Sequence, residues 1–244
     1  MGAFSRTTRL LGQAAVERLA ASRVALFGVG GVGGFAAEAL GRAGVGAIDL
    51  VDSDIVVESN INRQIVALHS TIGMEKVAVM RDRLLDIHPA CVVTAQAMFL
   101  DHTTAALFDF RKYDFVLDAV DMVTAKLLLV ERCRAAGTSI VSCMGAGNKL
   151  HADFEVTDIY KTSGCPLAKV MRHELRKRGI PALRVVSSRK QPIVPQTDES
   201  VEVPGRRQTP GSISFAPAVA GMLLAAEAIQ TLVRGEGAAD GTEL

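Results

Sequence analysis

The 244 residues carry 27 Lys and Arg against 26 Asp and Glu, a formal net charge of +1, with 49% hydrophobic and 22% charged residues. A chain of this length and apolar content buries a sizeable core, so wholesale disorder is excluded and one large α/β domain, or one and a half units, is expected. So balanced a charge exerts no global pull on nucleic acid or membrane, and any such partner has to be met by a local patch.

The opening "MGAFSRTTRLLGQ" has two arginines and no apolar h-region, so no secretory signal is expected, and the residues after Gly2 do not suit myristoylation. Apolar runs of strand length then alternate with helical patterns. The series is a strand at Arg23 to Gly28, a helix from Gly33 to about Ala43, a strand at Ala47 to Asp52 and a helix from Met74 to about His88. It continues with a strand at Cys91 to Gln96, a helix opened by Asp101 as N-cap, a strand at Asp114 to Val120, a helix from about Thr124 to Ala136 and a strand at Ser139 to Met144. Strands this uniformly apolar are covered on both faces, which predicts an α/β fold: a Rossmann-like, mostly parallel sheet with helices on both sides.

Past "GAGNK" the rhythm changes. "HADFEVTDI" and "ALRVVSS" read as strands, with a basic amphipathic helix from Pro166 to Arg178 between them. These make a smaller C-terminal extension of strands and helices. Residues from about 187 to 212, dense in proline, glycine and charge, read as a mobile loop. The closing run Ile213 to Val233 has the length of a membrane span, but Pro217, Glu227 and Gln230 interrupt it. A core helix is expected there, with membrane contact as the minor alternative. Cys91, Cys133, Cys143 and Cys165 are scattered with no C-x-x-C pair, which argues against a zinc site and a disulfide framework and suits a reducing, cytoplasmic setting.

The chemistry gathers after the first strand. Gly28, Gly30, Gly31 and Gly33 lie between a strand and a helix, where they permit a tight turn and let phosphate oxygens approach bare backbone N–H groups at the positive helix end. Asp52, closing the second strand, is placed for ribose hydroxyls, and Asp54 beyond it is counted with the nucleotide-binding residues. To this point a nicotinamide enzyme and an ATP enzyme are equally supported. Asn60, Arg63 and Gln64 follow on the loop, and Lys76 opens the next helix. Two cations suit a triphosphate whose charge must be neutralised during attack at phosphorus; solvated surface charge is the plainer alternative. Asp118 and Asp121 stand at the carboxyl end of the fourth strand, where open α/β sheets bind ligands. Asp121 can hold Mg²⁺ through one carboxylate, water and phosphate oxygens completing the shell. Asp118 reads equally well as a site residue or as a structural carboxylate.

Together "GVGGVGG", "LVDSDIVVESNINRQ", "GMEKV" and "LDAVDMVTAK" resemble the ThiF-type adenylating superfamily, which includes the ubiquitin-activating enzymes and the adenylyltransferases of molybdopterin and thiazole biosynthesis. "FSRTTRLLG", "NINRQIVALHSTIGMEKVAVMRDR" and "VTDIYKTSGCPLAK" resemble its tRNA threonylcarbamoyladenosine dehydratase branch across nearly the whole chain. The resemblance implies ATP-dependent activation of a carboxylate, the threonylcarbamoyl group of a tRNA adenosine, followed by cyclising dehydration. By position, Asp52 would bind ribose, Asn60, Arg63 and Lys76 the phosphates, and Asp121 the Mg²⁺. Arg9 would reach the triphosphate of a neighbouring subunit, implying a homodimer. On this reading residues 1–150 form the ATP-binding domain and 151–244 a substrate-side extension packed with it as one unit.

A tRNA partner gains physical support from Lys169, Arg172, His173, Arg176, Lys177 and Arg178, with Arg189, Lys190, Arg206 and Arg207 beyond, since backbone phosphates need such a local cluster. A solvated helix face is the alternative. No cysteine is placed for a thioester step, Cys165 lacking a paired histidine, so direct attack on an activated acyl group is expected. Rival readings are an adenylyltransferase for a small sulfur-carrier protein, with a sulfur-transfer system as partner, a nicotinamide oxidoreductase, and a non-catalytic nucleotide sensor.

Overall fold

The computed structural model describes residues 2–195 and 210–234. Two short helices, α1 (Ser5–Leu11) and α2 (Gln13–Ala21), precede the alternating series β1 (Arg23–Phe27), α3 (Gly33–Ala43), β2 (Ala47–Val51), α4 (Lys76–Ile87), β3 (Val92–Gln96), β4 (Phe115–Asp118), α5 (Val123–Ala136) and β5 (Ser139–Cys143). Then come β6 (Phe154–Asp158), α6 (Pro166–Lys177), β7 (Arg184–Ser188) and α7 (Phe215–Arg234). The strands form one seven-stranded sheet in the order β3-β2-β1-β4-β5-β7-β6. All neighbours are parallel except β6, which runs antiparallel to β7 at the edge.

Alternation along the strands divides the core. Val24 and Leu26 of β1 pack, with Ile48, Leu50 and Leu117, under α2, α3, α4 and α7. Ala25 and Phe27 face the other way, into a cluster with Val116, Phe108, Phe110 and the apolar side of α5. Beside it α6 buries Ala168, Met171 and Leu175 against Ile159, Leu183 and Val185. The period of two in β1, with Val24 to Phe27 all fully buried, is what a sheet covered on both faces requires.

Two sequence expectations are corrected. No α-helix starts at Asp101: its carboxylate accepts from the backbone N–H groups of Thr103 and Thr104, but only a 3-10 turn, Thr104–Leu107, follows, because Phe108 and Phe110 must turn back to pack on Phe27. The strand expected to run on to Val120 stops at Asp118, whose side chain turns under the following loop. Most of the expected mobile loop, with Arg206 and Arg207, lies outside the described residues, and Ser187 and Ser188 belong to β7, paired with β6.

The closing apolar run is helical, as expected. α7 is long and apolar enough to cross a membrane, yet Ala216, Ala220, Leu224, Ala225 and Ala228 are fully buried in the sheet's first core cluster. Its Gly221 meets α3 so closely that a Cβ would lie 2.2 Å from the carbonyl oxygen of Val32.

Candidate active site

The strand order reverses between β1 and β4, and at that switch point the carboxyl ends of β1, β2, β4 and β5 open into one cavity of about 590 Å³. Parallel sheets place ligands there because the loops after neighbouring strands diverge to opposite faces.

The glycine loop forms one wall. Gly28 has φ +91°, and a Cβ on it would stand 2.7 Å from the carbonyl oxygen of Ala119. A Cβ on Gly33 would strike the Gly28 carbonyl at 1.8 Å. These two glycines are demanded by packing. At Gly30 a Cβ would meet only Gln64 Nε2, at 3.9 Å, so this glycine leaves room on the cavity side. α3 begins behind the loop with no side-chain cap, and its first-turn amides supply the partial positive charge that attracts a phosphate.

Asp52 knits this wall to the next. Its Oδ2 accepts from Val29 N at 2.6 Å and its Oδ1 from Asp54 N at 2.8 Å, which fixes the carboxylate at the cavity wall, with lone pairs to spare for hydroxyl donors. The chain then loops out and is drawn back by the Ile55–Glu75 bridge and the bond from Lys76 N to the Asp54 carbonyl. That closure brings Lys76 Nζ to 2.7 Å from Asp54 Oδ2. The side chain of Lys76 is only 6% exposed while that of Asp54 is 66% exposed. The alternative of a solvated surface charge does not hold for Lys76, whose stem is enclosed by the folded-back loop. A cation in the first turn of α4 opposes the helix dipole, and its retention there is the kind of local conflict that marks functional positions.

Asn60 is buried and its Oδ1 accepts from Val57 N, pinning the loop that presents Arg63. Arg63 Nη1 donates to the Ser59 carbonyl and to Asn62 Oδ1 at 2.8 and 2.9 Å. Gln64 is buried at the cavity wall with an Oε1 that has no hydrogen-bond partner, a cost that a bound ligand can remove. Asp121 is exposed on the opposite lip, and no hydrogen bond or ion pair engages it among the described residues. The described residues contain no group of three or more metal-ligating side chains; a divalent cation at Asp121 would complete its shell with phosphate oxygens and water.

Asp118 is corrected. Its carboxylate is wholly buried beneath the cavity, bound by Lys126 Nζ at 3.1 Å to each oxygen and by Val120 N at 3.2 Å. Held by these three contacts and shut off from solvent, it fixes the loop bearing Asp121 and does not line the cavity. Arg9 lies outside this cavity, exposed on α1. Phe4, just before α1, packs on Gly44 and His88, which close the C-terminal ends of α3 and α4.

Sequence reasoning missed the far half of the cavity, lined by Cys143, Met144, Gly145, Gly147, Leu167 and Pro217. The signal was the pair of glycines in "GAGNK" directly after a parallel strand. Asn148, at φ 54°, turns this segment, and Lys149 is buried behind it with its amine donating to the Lys190 carbonyl, its pKa lowered by desolvation. All four cysteines are buried; burial pushes the Cys91 thiol up to about 11 and the Cys143 thiol up to about 12. Neither offers a thiolate at neutral pH.

The cavity therefore unites a glycine loop at a helix N-terminus, the cations of Arg63 and Lys76, and the carboxylates of Asp52 and Asp121. The tRNA threonylcarbamoyladenosine dehydratase of Bacillus subtilis (strain 168) is 41% identical over 240 residues, 95% of this chain and 94% of that protein. That of Escherichia coli (strain K12) is 37% identical over 207 residues, covering 81% and 77%. The crystal structure of the E. coli tRNA N6-threonylcarbamoyladenosine dehydratase in complex with AMP is similar at a TM-score of 0.86 and 32% identity, over 95% of this chain and 94% of that one. Its complex with ATP gives 0.84 over 95% and 93%. The ThiF family model matches residues 4–242, and the chain belongs to the ThiF family.

Proposed function

We propose that the chain uses ATP to activate the carboxylate of N6-threonylcarbamoyladenosine in tRNA and then closes the ring with net loss of water. The observation that carries this reading is Lys76, buried beside Asp54 and sharing one cavity with the glycine loop, Arg63 and Asp121. A dinucleotide held by backbone amides has no need of these cations, whereas a triphosphate under attack does. The AMP and ATP complexes of the E. coli relative support the same nucleotide.

In the first step a substrate carboxylate oxygen attacks a phosphorus of ATP, and the phosphate leaving group departs. The amides of the glycine loop hold the phosphates, Asp52 accepts from ribose hydroxyls, and Lys76 and Arg63 offset the charge that gathers on the phosphoryl oxygens. Mg²⁺ held by Asp121 and phosphate oxygens would supply further charge neutralisation when bound. In the second step the carbamoyl group of the same nucleoside attacks the activated acyl carbon and gives up its N–H proton to solvent, while the phosphorus-bearing oxygen leaves with the electron pair of the broken acyl–oxygen bond. The buried cysteines suit this direct closure, since no enzyme thiol has to take part.

Arg9, absent from its own chain's cavity, would serve a second copy, giving a homodimer with an arginine donated in trans. The absence of paired cysteines suits a cytoplasmic setting. The test is incubation with Mg-ATP and unfractionated tRNA, followed by mass spectrometry of the nucleosides: the modified adenosine should lose one water only when ATP is present. Carrier-dependent pyrophosphate exchange without any change in tRNA would instead favour the sulfur-carrier adenylyltransferase reading.

A further inference from the structure

The second half of the cavity ends at α6. Leu167, in its first turn, lines the cavity, and Cys165, just before it, lies 3.4 Å from where a Cβ of Gly145 would stand. The helix thus starts at the substrate side of the site and runs away from it for 12 residues, about 18 Å at 1.5 Å per residue.

Its two faces have separate duties. Ala168, Met171 and Leu175 are fully buried, and Arg172 turns inward to donate to the Thr162 carbonyl at 3.0 Å. The opposite face exposes Lys169, His173, Arg176 and Lys177, which helical spacing places in one stripe. Glu174, the single acidic residue of α6, is already held by Lys177 at 3.1 Å and Arg178 at 2.6 Å. The side chains of Lys169 and His173 have no ion-pair or hydrogen-bond partner among the described residues. The Arg176 guanidinium lies 5.0 Å over the Tyr160 ring, and the Tyr160 hydroxyl donates to the Ile180 carbonyl, so this cation sits on an anchored platform.

In a chain whose 27 basic and 26 acidic residues nearly cancel, this stripe concentrates positive charge beside the substrate half of the cavity. The face carries one exposed apolar side chain, Val170, too little to bury against a protein partner or a bilayer, whereas a row of cations without apolar cover fits a polyanionic backbone.

We propose that Lys169, His173, Arg176 and Lys177 form the docking rail for the phosphate backbone of the RNA substrate, laying the strand along α6 so that the modified nucleoside enters at Gly145 and Gly147. This rests on the reading that the substrate is a tRNA. The rail sets affinity and register and takes no part in the chemistry.

The test compares the full-length protein with the triple variant Lys169→Ala, Arg176→Ala, Lys177→Ala. Binding of tRNA is measured across a salt series, with ATP affinity and ATP-dependent dehydration alongside. The variant should bind tRNA roughly tenfold or more weakly and lose about two from the slope of log affinity against log salt, because each phosphate contact contributes about 0.7 to 0.9. ATP affinity should be unchanged, and the KM for tRNA should rise while kcat holds. Unchanged tRNA affinity and slope in a variant that still binds ATP would overturn the rail. So would a loss confined to binding of vesicles containing anionic lipid. Failure of the unaltered protein to bind or dehydrate tRNA would instead overturn the functional reading beneath it.

Discussion

Lys126 Nζ lies 3.1 Å from both carboxylate oxygens of Asp118, and neither side chain is exposed. The same amine donates to the Cys143 carbonyl at 2.7 Å. One buried cation therefore ties the end of β4 to the end of β5, beneath the two loops that carry Asp121 and Gly145. Removing the cation alone strands a buried carboxylate, so Lys126→Met should lower stability by about 3 to 5 kcal/mol, read by denaturant unfolding. The double variant with Asp118→Asn should lose less than the sum of the two single losses. Strict additivity would show that the pair is not coupled.

Lys76→Ala and Asp121→Ala should act on chemistry and spare the fold. Asp54, the partner of Lys76, remains largely solvated, so loss of the ion pair costs within about 1 kcal/mol; Lys76→Met, which keeps the enclosed apolar stem, isolates the charge from the packing lost in the Ala variant. Turnover should fall by about a hundredfold or more, as for loss of a preorganised charge at a phosphoryl centre. Single-turnover rates with saturating ATP make the comparison, and an unchanged rate in either variant removes that residue from the proposed mechanism.

The glycine loop separates packing from binding. Gly28→Ala forces a side chain onto a φ of +91° and against the Ala119 carbonyl, with a backbone cost of about 1 to 2 kcal/mol before the clash is counted. Gly30→Ala has space for its methyl group, so unfolding should change by under about 0.5 kcal/mol while ATP affinity falls. Equal effects of the two substitutions on stability would contradict this division.

Glu38 gives a pH signature. It is 6% exposed, and burial alone would raise its pKa. Bonds from Arg83 and Arg42, at 3.1 and 2.7 Å, outweigh burial and hold it below the usual carboxylate range. A depressed folded pKa contributes stability that is present above about pH 4.3, the ordinary value, and is lost as the pH falls below it. Glu38→Gln should flatten that acid limb of the stability curve. Both arginines are partly exposed, so the change should be modest and should shrink further in salt.

The thiols should be dispensable. With Cys91 and Cys143 protonated at neutral pH and all four cysteines buried, treatment of the native protein with iodoacetamide should leave turnover intact. Cys165→Ala should keep kcat within a few-fold. Inactivation that tracks modification of one cysteine would revive a covalent thioester step.

Read in one dimension, the chain already disclosed its βαβ rhythm, because strands buried on both faces must be apolar throughout, and it disclosed the glycine loop, because a positive φ and a close carbonyl leave Gly28 no substitute. Asp52, Arg63, Lys76 and Asp121 were legible for a related reason: each lies between the carboxyl end of a parallel strand and the first turn of the following helix, and such connections gather at the switch point. Only the tertiary structure decided which acidic residue opens to the cavity. Asp118 and Asp121 are three residues apart and chemically alike, but the amine that claims Asp118 arrives from α5 and also reaches β5, a convergence that no local pattern encodes. The same holds for the burial of Lys76, which depends on the loop after β2 closing back on itself. It holds too for α6, whose basic face is ordinary helix periodicity until the fold sets its first turn against the cavity.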